Sequence, residues 1–397
     1  MRTFGTLFHF ECRKLFRRKL VWACLAGMLA MSLLTGYMAG RASSYYYNGI
    51  EIKGAQMQEI TKRSKQALAG RTIDDALLRE VLESTAITAD TIPDNRADLE
   101  LFLEENLGYS ALYTWAERIL GEVPENLTAD QFYEARRAYQ EDDWEKSGLS
   151  EGEKAWWRQQ EARVTQPFVY ECTNPWSNLC NIIYSINIMG MLLLAVCLPG
   201  VFSEEHTRRT DQLNLAAPLG RKLYGAKLLL GTLFGFGTFV WFLLCAAVPA
   251  IMITGTEGVH GAIQLLIPKY AMDLTLGEMV WIMSGLLLAS SLVNSLFAMV
   301  MAEVLHSGMA ATALLTAIVL LGDLVRVPYS VRWLEELVSY LPGQLVTPAE
   351  AFDIRLFPWF GGYLTPWQAG PLLWLLAMVL LTFLGRRVYV RWQIGGR

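Results

Sequence analysis

The chain has 397 residues, 53% of them hydrophobic and 18% charged, and a net charge of −4. One soluble core does not need so large an apolar share, and the slightly acidic balance excludes a protein that holds nucleic acid through its overall charge. Six windows carry no charge, or charge only at their ends: Leu20–Gly40, Asn178–Pro199, Leu228–Thr254, Met279–Met301, Met309–Gly322 and Thr365–Leu384. A bilayer span takes about 20 apolar residues, so the composition predicts a multi-pass membrane protein. The fifth window is short by that measure and must either extend toward His306 or lie in thinner lipid.

In chain order, residues 4–19 (FGTLFHFECRKLFRRK) predict an amphipathic helix. Phe4, Leu7, Phe8, Cys12 and Leu15 recur at helical spacing, with the basic residues largely on the other face. Such a helix suits the inner leaflet, although a plain basic flank of the first span has the same composition. The first window also competes with a cleavable signal peptide, since Gly40-Arg41-Ala42 resembles a small-x-small site. Its apolar run is longer than a signal core, which favours an uncleaved span.

Residues 41–177 form a polar insert. Thr128-Ala-Asp-Gln131 and Ser150-Glu-Gly-Glu153 fit the capping-box pattern, and Thr72 before Asp74-Asp75 is a further helix start. Breaks are expected at Pro93, Gly108, Gly121–Pro124 and Gly148, and Val164–Tyr170 is the one plausible extended piece. Tyr45–Tyr47, Trp176, Trp281, Trp359 and Trp367 on one side, and Trp22 and Trp392 on the other, suit the two membrane interfaces.

Charge sets an orientation. From Arg41 to Asn178 the net charge is −10, against +6 for the rest. Fifteen basic residues lie before the first window, in 201–227 or after the last, against four in the other short loops. Lys and Arg in short loops stay inside, so both termini are expected in the cytoplasm and residues 41–177 outside the cell.

Residues 201–227 (VFSEEHTRRTDQLNLAAPLGRKLYGAK) hold most of the candidate chemistry. Glu204-Glu205 followed by Arg209 fits E-E-x-x-x-R, the first motif of CAAX-protease-like intramembrane peptidases. That chemistry also needs histidines from other spans, and this chain has only His9, His206, His260 and His306. His306 lacks the phenylalanine four residues earlier that the second motif requires, and Phe202-x-x-x-His206 overlaps the first motif. Gly220-Arg-Lys-Leu-Tyr-Gly225-Ala-Lys227 is out of register for a phosphate loop, so no nucleotide site is expected in the chain. Gly231-x-x-x-Gly235 reads as helix packing. Asn181, Asn187 and Asn294 are polar residues within windows, suited to interhelical hydrogen bonds or to a transport pathway. No ionisable residue lies well inside a window, which disfavours an ion-coupled transporter.

The basic N-terminal helix, the six windows and Phe202-x-Glu204…Thr210…Leu213…Pro218…Arg221…Lys227 after the second resemble the ABC-2 class of ABC-transporter permeases. The likeness covers the whole chain and lies more in architecture than in any one residue. The insert, with TADQFYEARRAY, LSEGEKAWW and PFVYEC, is similar to a branch of bacterial permeases with helical extracellular domains. Arg208-Arg209 stands where many such relatives have a small residue before Thr210.

The resemblance implies an all-α polytopic fold with six transmembrane helices. It also implies a coupling helix after the second span that inserts into a separate ATP-binding cassette ATPase. Glu204, Glu205, Arg208, Arg209 and Asp211 would sit on or beside that helix, within a loop framed by Pro218, Arg221 and Lys227. Short helices are implied between the fifth and sixth spans, matching Val331–Tyr340 and Pro342–Ala351. A second permease copy or a relative would complete the pathway, and membrane lipid would surround it. ATP would be bound by the partner, leaving this chain without a cofactor, metal or catalytic residue of its own. The cargo would be a drug, peptide, lipid or cell-wall component, moved across a bacterial cell membrane. The rival readings are a membrane sensor with a ligand-binding ectodomain and the intramembrane peptidase.

Overall fold

Apolar runs with few helix breakers close their own backbone hydrogen bonds, and these runs form long helices here. The computed structural model describes residues 2–39, 41, 43–85, 92–208, 220–324 and 331–391. Among them, five helices are long and apolar enough to cross a membrane: Lys19–Met38, Asn174–Thr207 (with a break near Pro199), Lys222–Thr254, Leu276–Val304 and Pro366–Val390. These are the first, second, third, fourth and last spans below. The all-α polytopic reading stands in its coarser form, with five helices of full length among the described residues where six were expected.

The remaining apolar helix, Gly308–Leu324, has 17 residues. It rises about 25 Å, short of a hydrocarbon core about 30 Å thick. It does not extend back to His306, because His306 takes a left-handed backbone (φ 51°) that ends the fourth span.

The second and fourth spans are the inner pair, with 67% of their most apolar stretches buried. The corresponding shares are 22%, 28% and 22% for the first, third and last. Close approach needs small residues. A Cβ on Gly235 would lie 1.9 Å from Ser295 Oγ of the fourth span, so the Gly231–Gly235 pair is the packing face that its spacing predicts. Thr275 and Glu278 form a capping box at the start of the fourth span, satisfying backbone donors that have no partner inside the helix.

The insert is built from helices Ala55–Leu68, Asp75–Thr85, Arg96–Leu120, Ala129–Lys146 and Glu151–Glu161. Both expected capping boxes, at Thr128 and Ser150, form. Asp74, not Thr72, caps the helix beginning at Asp75, its carboxylate accepting from Leu77 N at 3.0 Å. The break expected at Gly108 does not occur. Helix Arg96–Leu120 runs through it because a glycine there lets helix Ala55–Leu68 come close. Gly108 N donates to Ser64 Oγ at 2.8 Å, and a Cβ would lie 2.7 Å from Ser64 O.

Residues 164–170 are partly extended, as expected, with a bridge from Val169 to Thr72. Tyr45–Tyr47 belong instead to a hairpin of β1 (Ser44–Tyr47) and β2 (Ile50–Lys53), turned by Asn48-Gly49 with φ of 43° and 80°. A second hairpin pairs β3 (Phe357–Trp359) with β4 (Gly362–Leu364). The short helices after the fifth apolar helix are Arg332–Ser339, Pro342–Leu345 and Pro348–Ala351, where the resemblance implied them.

The insert does not end at its own surface. Arg136 is fully buried and donates to Pro268 O at 2.9 Å, to Tyr270 O at 3.2 Å and to Glu161 at 2.5 Å. Trp115 donates to Gln264 O, Trp157 to Ile354 O and Trp176 to Glu257 O. These bonds tie the insert to the connections that follow the third span and precede the last. Trp176 and Trp367 are therefore structural donors, Trp367 bonding Tyr270 Oη at 3.2 Å. Trp22, Trp281 and Trp359 remain exposed, as interfacial anchors should be. Trp392 lies outside the described residues. Cys172 and Cys180 are both buried and unbridged.

Candidate functional site

Pro199 has no N–H to donate, so the helix of the second span breaks there and a new one runs from Gly200 to Arg208. Adjacent residues on a helix point about 100° apart, so Glu204 and Glu205 aim in different directions. Glu205 turns inward and is 6% exposed. Its carboxylate meets Lys227 Nζ at 2.7 Å and Lys14 Nζ at 3.2 Å. Glu204 stays at the edge and takes Arg18 at 2.5 Å, while the same guanidinium donates to Gly200 O at 2.6 Å. The absent side chain at Gly200 makes room, since a Cβ would lie 2.3 Å from the Arg18 guanidinium.

Four elements meet at this junction: the N-terminal helix Arg2–Phe16, the start of the first span, helix Gly200–Arg208 and the start of the third span. Lys227 is fully buried, its ammonium 4.8 Å over the Phe202 ring. Glu11, 2% exposed, lies in the same patch. Burial pushes its carboxyl up, against the pull of Lys227 and Lys14. Phe202, Tyr224 and Tyr389 are in mutual contact beside the cluster, tilted or edge-on to one another with ring centroids 5.4–6.2 Å apart. Buried opposite charges with several hydrogen bonds are weak net stabilisers, but they enforce one arrangement of the elements that carry them.

Beyond this patch His206 Nε2 lies 2.9 Å from Glu303 Oε2, and the His206 and His306 rings are 4.9 Å apart. Helix Gly200–Arg208 therefore touches the end of the fourth span as well.

The structure alters several expectations for individual residues. Glu204 is held by Arg18 at the start of the first span and Glu205 by Lys14 and Lys227, so both carboxylates already have partners within the chain. Lys227 does not frame a loop, because helix Gly220–Thr254 begins seven residues before it. Arg208 and Arg221 are helical, but their side chains lie outside the described residues, as do Arg209, Asp211 and Pro218.

Asn187 is fully buried, donates to Pro342 O at 3.0 Å and accepts from Ser290 Oγ at 2.7 Å, which makes it an interhelical bond as its place in a span suggests. Asn294 donates along its own helix to Ser290 O, and Asn181 is exposed. The N-terminal helix packs its apolar stripe on the third span. Sequence reasoning gave no site role to Glu11, Lys14, Arg18 and Glu303, and set His306 aside when the peptidase motif failed. For Glu11 a signal existed: it is one turn from Leu7, Phe8 and Leu15, inside the apolar stripe.

No family model, curated protein or solved structure matches the chain.

Proposed function

We propose that the chain is the membrane subunit of an ABC-2-type exporter, driven by a separate ATPase that docks at the segment following helix Gly200–Arg208. In this reading the termini face the cytoplasm, residues 41–177 stand outside a bacterial cell, and a second copy or a relative completes the pathway. ATP is bound and hydrolysed by the partner, and the cargo is a drug, peptide, lipid or cell-wall component.

The observation that carries the reading is the junction. Through Glu205–Lys227, Glu205–Lys14, Glu204–Arg18 and His206–Glu303, one short helix is keyed to the N-terminal helix, to the starts of the first and third spans and to the end of the fourth. A push on that helix by a docked motor would reach all of them together. The exposed apolar faces of the first, third and last spans suit lipid and a second permease copy.

The test coexpresses the chain with candidate ATP-binding cassette ATPases from the same host and measures copurification and ATP-dependent export from vesicles. Because Glu204 and Glu205 hold the junction, the docking variant is the triple charge reversal Arg208→Glu, Arg209→Glu, Asp211→Arg. Reduced copurification and export with normal membrane insertion is the expected result. Full binding and full export by the triple variant would remove this segment from the mechanism.

A further inference from the structure

We propose that His206, Glu303 and His306 bind one divalent transition-metal ion of the zinc class and so clamp helix Gly200–Arg208 to the end of the fourth span. The donor set is two imidazole nitrogens and one carboxylate oxygen, the combination that such ions take, with water completing a fourth position.

The geometry is close to what coordination needs. One ligand atom from each residue lies within 4.8 Å of the other two. Bonds of about 2.0–2.1 Å in a tetrahedral site place ligand atoms roughly 3.4 Å apart. The His206–Glu303 separation of 2.9 Å is a hydrogen bond about 0.5 Å shorter than that, so an ion would replace this bond with a small opening of the pair while His306 closes in by side-chain rotation.

The backbone also favours the site. Glu303 and His306 are three residues apart, and His306 occupies the left-handed position that glycine usually fills at a helix end. Histidine is among the residues that tolerate this conformation, and here it places the imidazole against that of His206. Glu303 is 2% exposed. Its carboxylate is thus held in the interior beside both imidazoles, where a divalent ion could be shared by all three. Glu204 and Glu205 are not part of this set, because Arg18, Lys14 and Lys227 hold them. The site is therefore distinct from the E-E-x-x-x-R pattern.

The test uses the full chain in detergent, stripped with a chelator and then titrated with Zn(II) and with Co(II). Metal content gives stoichiometry, and the visible Co(II) bands report a low-coordinate nitrogen–oxygen site. One equivalent per chain is expected. His206→Ala or Glu303→Gln should each weaken binding at least tenfold. His306→Asn should do the same while keeping a residue that accepts the left-handed turn, so its loss of metal is not a loss of fold. His9→Ala and His260→Ala should leave the stoichiometry unchanged. The proposal is overturned if the wild-type chain takes up no metal, or if His206→Ala and His306→Asn together bind it as the wild type does.

Discussion

The Lys227 ammonium is wholly buried and sits 2.7 Å from the Glu205 carboxylate, although 22 positions separate the two residues and they lie on different helices. Removing one charge would leave the other buried with less compensation, since Glu205 would keep only Lys14 of its two partners at the junction and Lys227 would lose its contact carboxylate. Lys227→Met should therefore destabilise the chain by about 3–5 kcal/mol, whereas Lys227→Met with Glu205→Gln should cost distinctly less. Thermal unfolding in detergent of both single variants and the double variant measures the coupling. Additive losses would mean that the pair has no energetic link.

Arg136 joins the insert to the connection after the third span. Arg136→Met leaves Glu161 and the carbonyls of Pro268 and Tyr270 without that donor. A loss of about 3–5 kcal/mol is expected for breaking a buried charged network of this kind. It should appear as faster protease cutting within residues 121–128 while the spans stay protected. Unchanged cutting would show that the insert is held by its apolar contacts alone.

The insert should also carry an acid-sensitive pair. Hydrogen bonds from Arg71, at 2.6 and 2.8 Å, and from Tyr109, at 3.1 Å, hold the Glu80 carboxyl down at about 2 against an ordinary 4.5. The folded value lies below the unfolded one, so the stabilisation is present above about pH 4.5 and fades as the pH falls toward 2. The groups are half-exposed, so the effect is modest. Compared by tryptophan fluorescence, wild type and Glu80→Gln should differ most at neutral pH and converge in acid. A gap that does not change with pH would contradict the assignment.

Orientation can be read with thiol chemistry. In a cysteine-free background, Lys146→Cys in the insert should react with an impermeant reagent in intact cells. Lys222→Cys, exposed at the start of the third helix, should react only after permeabilisation. The reverse pattern would place the junction outside the cell, where no ATPase could reach it.

Features that depend on a few neighbouring residues were legible in advance. The apolar windows became long helices, and the Thr128 and Ser150 boxes capped theirs. Gly231 and Gly235 faced another span. The Asn48-Gly49 hairpin was legible too, because that dipeptide is a turn signal within tyrosine- and isoleucine-rich flanks, but the tyrosines drew attention as membrane anchors instead.

The junction was not legible. Whether Glu205 faces solvent or Lys227, and whether His206 meets His306 a hundred positions later, depends on how each helix is rotated about its axis and where it ends. Those angles come from side chains packing between spans and from the Pro199 break, not from any local pattern. By itself the sequence determined which segments leave water and which caps hold their ends, because burial and capping are local free energies. Only the tertiary structure decided which charges share a buried patch, because a pairing between distant residues exists only once the helices have packed.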